Sequence, residues 1–177
     1  MGQANTKGER QKNVSMKSGR REFYDFLHTN PERANGPVLH TAEGKEKKVD
    51  IFQDTVVAYQ TPSKIDLMQK FHEDARSNGL QGVLNPIIHT GKHFVIHPRC
   101  EEVTQSNLPK NYKEDLDLLG GLQKIGFWDY HKGNIMLCQG HLKIVDQNTS
   151  TDPEAHSAAR KFKKFTSDIE MLNKKKD

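Results

Sequence analysis

Apolar residues in this chain fall into short runs separated by turn residues, and the spacing inside each run predicts its element. Arg21-Glu22-Phe23-Tyr24-Asp25-Phe26-Leu27-His28 carries its apolar residues on one side of a short helix. Asn35-Gly36-Pro37 breaks the chain. Val38-Leu39-His40 and Val49-Asp50-Ile51-Phe52 then flank the polar tip Glu43-Gly44-Lys45-Glu46 and predict two strands around a turn. Gln53-Asp54 turns into the β-branched run Thr55-Val56-Val57-Ala58-Tyr59-Gln60, a third strand.

Thr61-Pro62-Ser63 opens a helix, with proline where the first turn tolerates it. Ile65, Met68 and Phe71 or His72 give that helix its apolar spacing, and Asn78-Gly79 ends it. Pro86 to His89 and His93 to Ile96, around Thr90-Gly91-Lys92, predict a hairpin. After a polar connector from Pro98 to Pro109, Leu116, Leu119, Leu122 and Ile125 mark one face of a helix over about 110–124, which Gly126 stops. Ile135-Met136-Leu137 and Leu142-Lys143-Ile144-Val145 are two short strands joined at Gln139-Gly140. Phe162, Phe165, Ile169 and Leu172 are spaced along a last helix starting at Pro153. No internal repeat is present.

Composition narrows the classes. With 33% hydrophobic and 28% charged residues over 177 positions, the core is modest and the ends are polar. Residues 1–20 contain no aromatic side chain, and they read as a disordered, solvated segment. The net charge is +4, with lysine and arginine concentrated near both ends. That balance suits solvated termini or an anionic membrane surface. Met1-Gly2-Gln3-Ala4-Asn5-Thr6 fits the myristoylation pattern, and the basic residues Lys7, Arg10 and Lys12 behind it would add to such an anchor. Nucleic acid is an unlikely partner, because aromatic and basic residues do not interleave. No apolar run reaches the roughly 18–20 residues of a membrane helix. Two cysteines, Cys100 and Cys138, without a CxxC, suit a reducing, cytoplasmic setting and predict no disulfide framework and no zinc site.

The chemistry concentrates in Asp129-Tyr130-His131-Lys132-Gly133-Asn134. An Asp stands five residues before an Asn, after a helix and before a strand, and Asp146 follows twelve residues later at the end of the next strand. Phosphoryl transfer needs a carboxylate to accept the hydroxyl proton. It also needs an amide oxygen and a second carboxylate to hold magnesium between phosphates. An isolated DxxxxN also occurs in ordinary surface loops. Here buried strands predicted at Ile135-Met136-Leu137 and Ile144-Val145 would present all three groups together.

The block from Gly126 to Leu137 resembles the protein-kinase catalytic loop, and its D-x-H-x-G-N form is similar to aminoglycoside phosphotransferases and to small bacterial and phage kinases. The OspG-like type III effector kinases and the phage T7 protein kinase are the most similar in this respect. The resemblance implies an α+β fold with two lobes: an N-lobe over 21–97, built from an antiparallel sheet and one helix, and a truncated C-lobe over 98–177. It implies ATP and magnesium as cofactors, a protein substrate, and delivery into or expression in a host cell. Asp129 would be the base, and Asn134 and Asp146 the magnesium ligands. His131 or Lys132 would support the loop or meet the phosphate.

In the N-lobe the resemblance places nucleotide contacts at Gly44, Lys48, Ala58, Gln60 and Glu73. Gln60 stands where the family has its strand lysine, and Gly44 is one glycine where the family has three. Phe127-Trp128 replaces His-Arg, and 31 residues follow Asp146, too few for a full substrate lobe. Lys45, Lys47, Lys48 and Lys64 are candidates to replace the missing strand charge. Two readings follow: an active kinase, or a pseudokinase that binds partners. Transfer of another part of ATP is a third.

Overall fold

A computed structural model describes residues 7–33, 36–43, 48–147 and 154–175, with side chains in the two terminal helices described from Lys17 and from Ser157. The chain forms two compact units. The first comprises Met1–Met68 and Pro86–Arg99, and the second Gln69–Asn85 and Cys100–Asp177. The α+β class expected from the sequence is the one observed.

In the first unit, β1 (His40–Glu43), β2 (Lys48–Ile51), β3 (Thr55–Tyr59), β4 (His89–Thr90) and β5 (Phe94–Pro98) form one sheet in the order β1-β2-β3-β5-β4. Every neighbour pair is antiparallel. Alternation along β3 decides the two faces. Val57 and Tyr59 pack with Phe52, Phe94, Ile96 and Phe23 of α1 (Lys7–Thr29). Ala58 faces the other way, opposite Val95, which packs with Ile65 and Met68 of α2 (Pro62–Ser77).

α1 reaches back to Lys7, well before the helix predicted over 21–28 and into the stretch read as disordered. Its early turns are rich in Lys, Arg, Glu and Gln, which favour a helix without marking an apolar face. Its packed end is fixed by a polar cluster. Arg20 donates to both carboxylate oxygens of Asp50, at 3.1 and 2.9 Å, and Thr41 and Tyr59 donate to the same carboxylate at 2.7 Å each. Burial alone would raise the Asp50 carboxyl, but the hydrogen bonds from Arg20, Tyr59 and Thr41 hold it below the usual carboxylate range. Gly19 admits the close approach, since a Cβ there would stand 2.5 Å from the His93 carbonyl oxygen and 2.8 Å from the Tyr59 ring.

The second unit holds the larger core. α3 (Tyr112–Gly121), the hairpin β6 (Ile135–Cys138) and β7 (His141–Ile144), and α4 (Glu154–Lys174) pack together with the later turns of α2. Phe71, Ala75, Leu80, Val83 and Leu84 belong to this core, with Leu116, Leu119, Leu122, Ile135, Ile144, Phe165 and Ile169. The expected division at 97 therefore differs from the observed one. Residues 69–85 side with the second unit because their apolar side chains are buried there, and the later boundary falls after Arg99.

The expectation of no disulfide framework is overturned: Cys100 and Cys138 form a disulfide. Glu101 and Leu137 exchange backbone hydrogen bonds at 3.0 and 2.8 Å in an isolated antiparallel bridge. The next pair out, Cys100 and Cys138, then meets at the narrow, non-hydrogen-bonded spacing of such a ladder, with Cα atoms 4.7 Å apart. A separation of 38 residues gives no hint of this pairing in the sequence. The cysteine argument for a reducing compartment loses its premise.

Candidate functional site

The loop from Gly126 to Asn134 is anchored at both ends by the second unit's core. Gly126, at φ 94°, takes the left-handed conformation that ends the helical turns, and Phe127 N–H donates to the Leu122 carbonyl at 3.2 Å. Phe127 is buried and meets Tyr130 edge to face at 4.7 Å. The Tyr130 hydroxyl donates to the Leu119 carbonyl, and burial pushes its phenol above the ordinary value. Phe127 and Tyr130 thus face inward, while Asp129 keeps its carboxylate partly exposed.

His131 and Gly133 build the turn itself. Gly133 N–H donates to His131 Nδ1 at 3.1 Å, which assigns the proton of the neutral ring to Nε2. That nitrogen lies 3.3 Å from Asp129 Oδ2 and donates to it. A Cβ on residue 133 would stand 3.0 Å from the imidazole, so glycine here leaves the ring its place.

Asn134 closes the loop. Its side-chain amide donates to the Asp129 carbonyl at 3.0 Å, and its own Oδ1 is buried without a hydrogen-bond partner. A buried acceptor left open is uncommon, and this one is available to a water or a ligand. Val145 N–H donates to the Asn134 carbonyl at 2.9 Å, continuing the β6–β7 ladder, so Asp146 follows immediately after the residue paired with Asn134. The hairpin is seated by Asp115 of α3. This buried carboxylate accepts the Leu142 N–H at 3.0 Å and contacts His141 Nδ1 at 3.1 Å. Beyond Asp146, Gln147 Nε2 donates to His72 Nε2 of α2 at 3.3 Å.

The structure therefore gathers Asp129, His131 and Asn134 at one loop and sets Asp146 beside it at the strand end. Lys132 lies exposed in the turn. The ammonium that stands at Asp129 is instead Lys161 of α4, 3.8 Å from Oδ1. The same Nζ lies 4.2 Å from the centroid of the Trp128 ring. Sequence spacing missed Lys161, because only its neighbour Phe162 belongs to the apolar stripe of α4.

The residues expected to contact nucleotide in the first unit are distributed differently. Ala58 lies on the sheet face shared with Val95. Gln60 follows the end of β3, its backbone N–H bonded to the His93 carbonyl at 3.1 Å. Lys48 pairs in register with Tyr59, so it shares the face that α1 covers rather than the face of Ala58. Lys64 is exposed in the first turn of α2, and Glu73 is exposed on the same helix within the second unit. Gly44, Lys45 and Lys47, like Met1 to Thr6, lie outside the described residues.

Among the described residues, no group of three His, Cys, Asp or Glu side chains could hold a metal ion. A metal at this loop would depend on Asn134 Oδ1 together with a carboxylate, a donor set of oxygens suited to magnesium. No helix is long and apolar enough to cross a membrane, among the described residues.

No protein-family model matches the sequence, and no curated protein matches it. Among the solved structures that are similar are two kinases. A Legionella pneumophila kinase, Lpg2603, bound to IP6, is 13% identical, with a TM-score of 0.46 over 73% of this chain and 57% of that one. The Rio2 kinase of Chaetomium thermophilum, in an ADP/Mg2+-phosphoaspartate complex, is 14% identical, with a TM-score of 0.48 over 82% of this chain and 58% of that one. The chain thus spans less than two thirds of the length of either.

Proposed function

We propose that this chain is an ATP- and magnesium-dependent phosphotransferase of the protein-kinase kind, acting on serine or threonine hydroxyls of a protein. The observation that carries the reading is Asn134: one end of its amide ties down Asp129, and the other end is an open, buried oxygen next to the strand end that bears Asp146.

In the proposed reaction the acceptor hydroxyl oxygen attacks the γ-phosphorus of ATP. The bond to the β–γ bridging oxygen breaks, and ADP leaves with the electron pair. The hydroxyl proton passes to the Asp129 carboxylate, whose orientation is set by His131 Nε2–H. Asn134 Oδ1 and Asp146 would hold magnesium, which when bound would neutralise charge on the β- and γ-phosphates.

One feature favours a second reading, a pseudokinase acting as a binding module. Gln60 brings no charge to the position where the resemblance places a lysine. Incubation with γ-labelled and α-labelled ATP, with and without magnesium, separates the readings. Transfer of the γ-label, lowered about 10²-fold or more in Asp129→Asn, is the expected result. No label transferred, together with magnesium-dependent nucleotide binding, would establish the binding module. Transfer of the α-label would indicate nucleotidyl chemistry.

A basic N-terminus against an anionic membrane, with myristate on Gly2, belongs to the same proposal for a protein that works inside a host cell.

A further inference from the structure

Two consecutive residues of α4 engage three consecutive residues of the catalytic loop. Phe162 packs on Tyr130 with ring centroids 5.0 Å apart, while Lys161 lies over the Trp128 ring and against Asp129 Oδ1. The register of α4 is fixed independently of Lys161. Phe165 and Ile169 are buried in the core, and Gly120 of α3 gives Phe162 its place, since a Cβ there would stand 2.8 Å from the Phe162 ring.

We propose that Lys161 is a positioning residue for Asp129 and the charge partner of the transferred phosphoryl group, with Trp128 as its clamp. The inference rests on the phosphotransfer reading above. A lysine is a flexible point charge and is held in one place only by its neighbours. The indole face restrains the ammonium by cation–π attraction, and the Asp129 carboxylate draws it from the other side. With His131 on Oδ2 and Lys161 on Oδ1, the carboxylate has one orientation. An ammonium has three N–H donors, so Lys161 can keep Asp129 and still donate to an oxygen of the moving phosphoryl group. Its side chain remains 39% exposed, open to a ligand. The hydroxyl proton still goes to Asp129, and Lys161 takes no part in the proton transfer. Lys132, exposed in the turn, stands in no such arrangement.

The test uses the full chain with Lys161→Met and Lys161→Arg, read in two ways. Steady-state transfer of the γ-phosphate should fall about 10²-fold in kcat for Lys161→Met, and Lys161→Arg should recover most of the loss. KM for ATP should stay within about three-fold, as for an interaction that strengthens in the transition state. Trp128 is the one tryptophan in the chain, so acrylamide quenching of its emission reports on the clamp alone. Quenching should rise in Lys161→Met and return toward the wild type in Lys161→Arg. Full activity in Lys161→Met beside an inactive Asp129→Asn would overturn the inference and leave the phosphotransferase standing. Unchanged quenching would overturn the clamp whatever the activity. A wild-type chain that transfers no phosphate would remove the catalytic role together with the reading it rests on.

Discussion

Asn134 donates its side-chain amide to the backbone carbonyl of Asp129 at 3.0 Å while its Oδ1 stays buried and open. One residue thus holds the proposed base in place and offers an oxygen. Asn134→Ala removes both functions. The lost hydrogen bond should cost about 1 kcal/mol of stability and lower Tm by about 2–4 °C. The larger effect is on ligands: the rise in Tm produced by ATP with magnesium should disappear. Thermal melts with and without both ligands check this, and a ligand shift kept in full would move the metal site elsewhere.

Lys48 should be dispensable for transfer. Its pairing with Tyr59 puts it on the α1 side of the sheet, away from the face of Ala58. Lys48→Ala should change kcat/KM for ATP by less than about two-fold, because its side chain points to the wrong face. Gln60→Lys places a cation where the kinase resemblance has one and should lower KM. Steady-state kinetics of the two variants decide it, and a severe loss in Lys48→Ala would contradict the face assignment.

Stability should depend on Asp50 over a defined pH range. Its carboxyl titrates lower in the folded chain than in the unfolded one, where the value is about 3.9. A depressed carboxyl contributes stability that is fully present above the unfolded value and is lost as pH falls through the folded one. Arg20→Ala should therefore destabilise the chain by about 2 kcal/mol near neutral pH, as for a hydrogen bond to a charged group. The difference from wild type should shrink as the solution is acidified below pH about 4. Urea melts across that range measure it.

The Cys100–Cys138 disulfide closes a loop whose ends are 38 residues apart. Reduction, or Cys138→Ser, should lower stability by about 2–4 kcal/mol, since the cross-link restricts the unfolded chain. Thiol titration of the unreduced, denatured protein should find no free cysteine. Two free thiols would refute the pairing.

The sequence by itself determined many of the local elements and the arrangement of the loop's polar residues. The β-branched run Thr55–Tyr59 and the three-residue spacing of Leu116 and Leu119 each settle an element, because side-chain shape and periodicity answer to backbone geometry. Asp129, His131, Gly133 and Asn134 are legible for the same reason: their contacts run within five residues of one another. What only the tertiary structure decided involves partners distant in the chain. Cys100 meets Cys138 through the bridge at Glu101 and Leu137, and Asp50 becomes the anchor of α1 through Arg20, thirty residues earlier. Register between β2 and β3 assigns Lys48 to the covered face, and the seating of α4 brings Lys161 to Asp129. No local pattern encodes these contacts, because packing between elements selects which polar residue lands beside which.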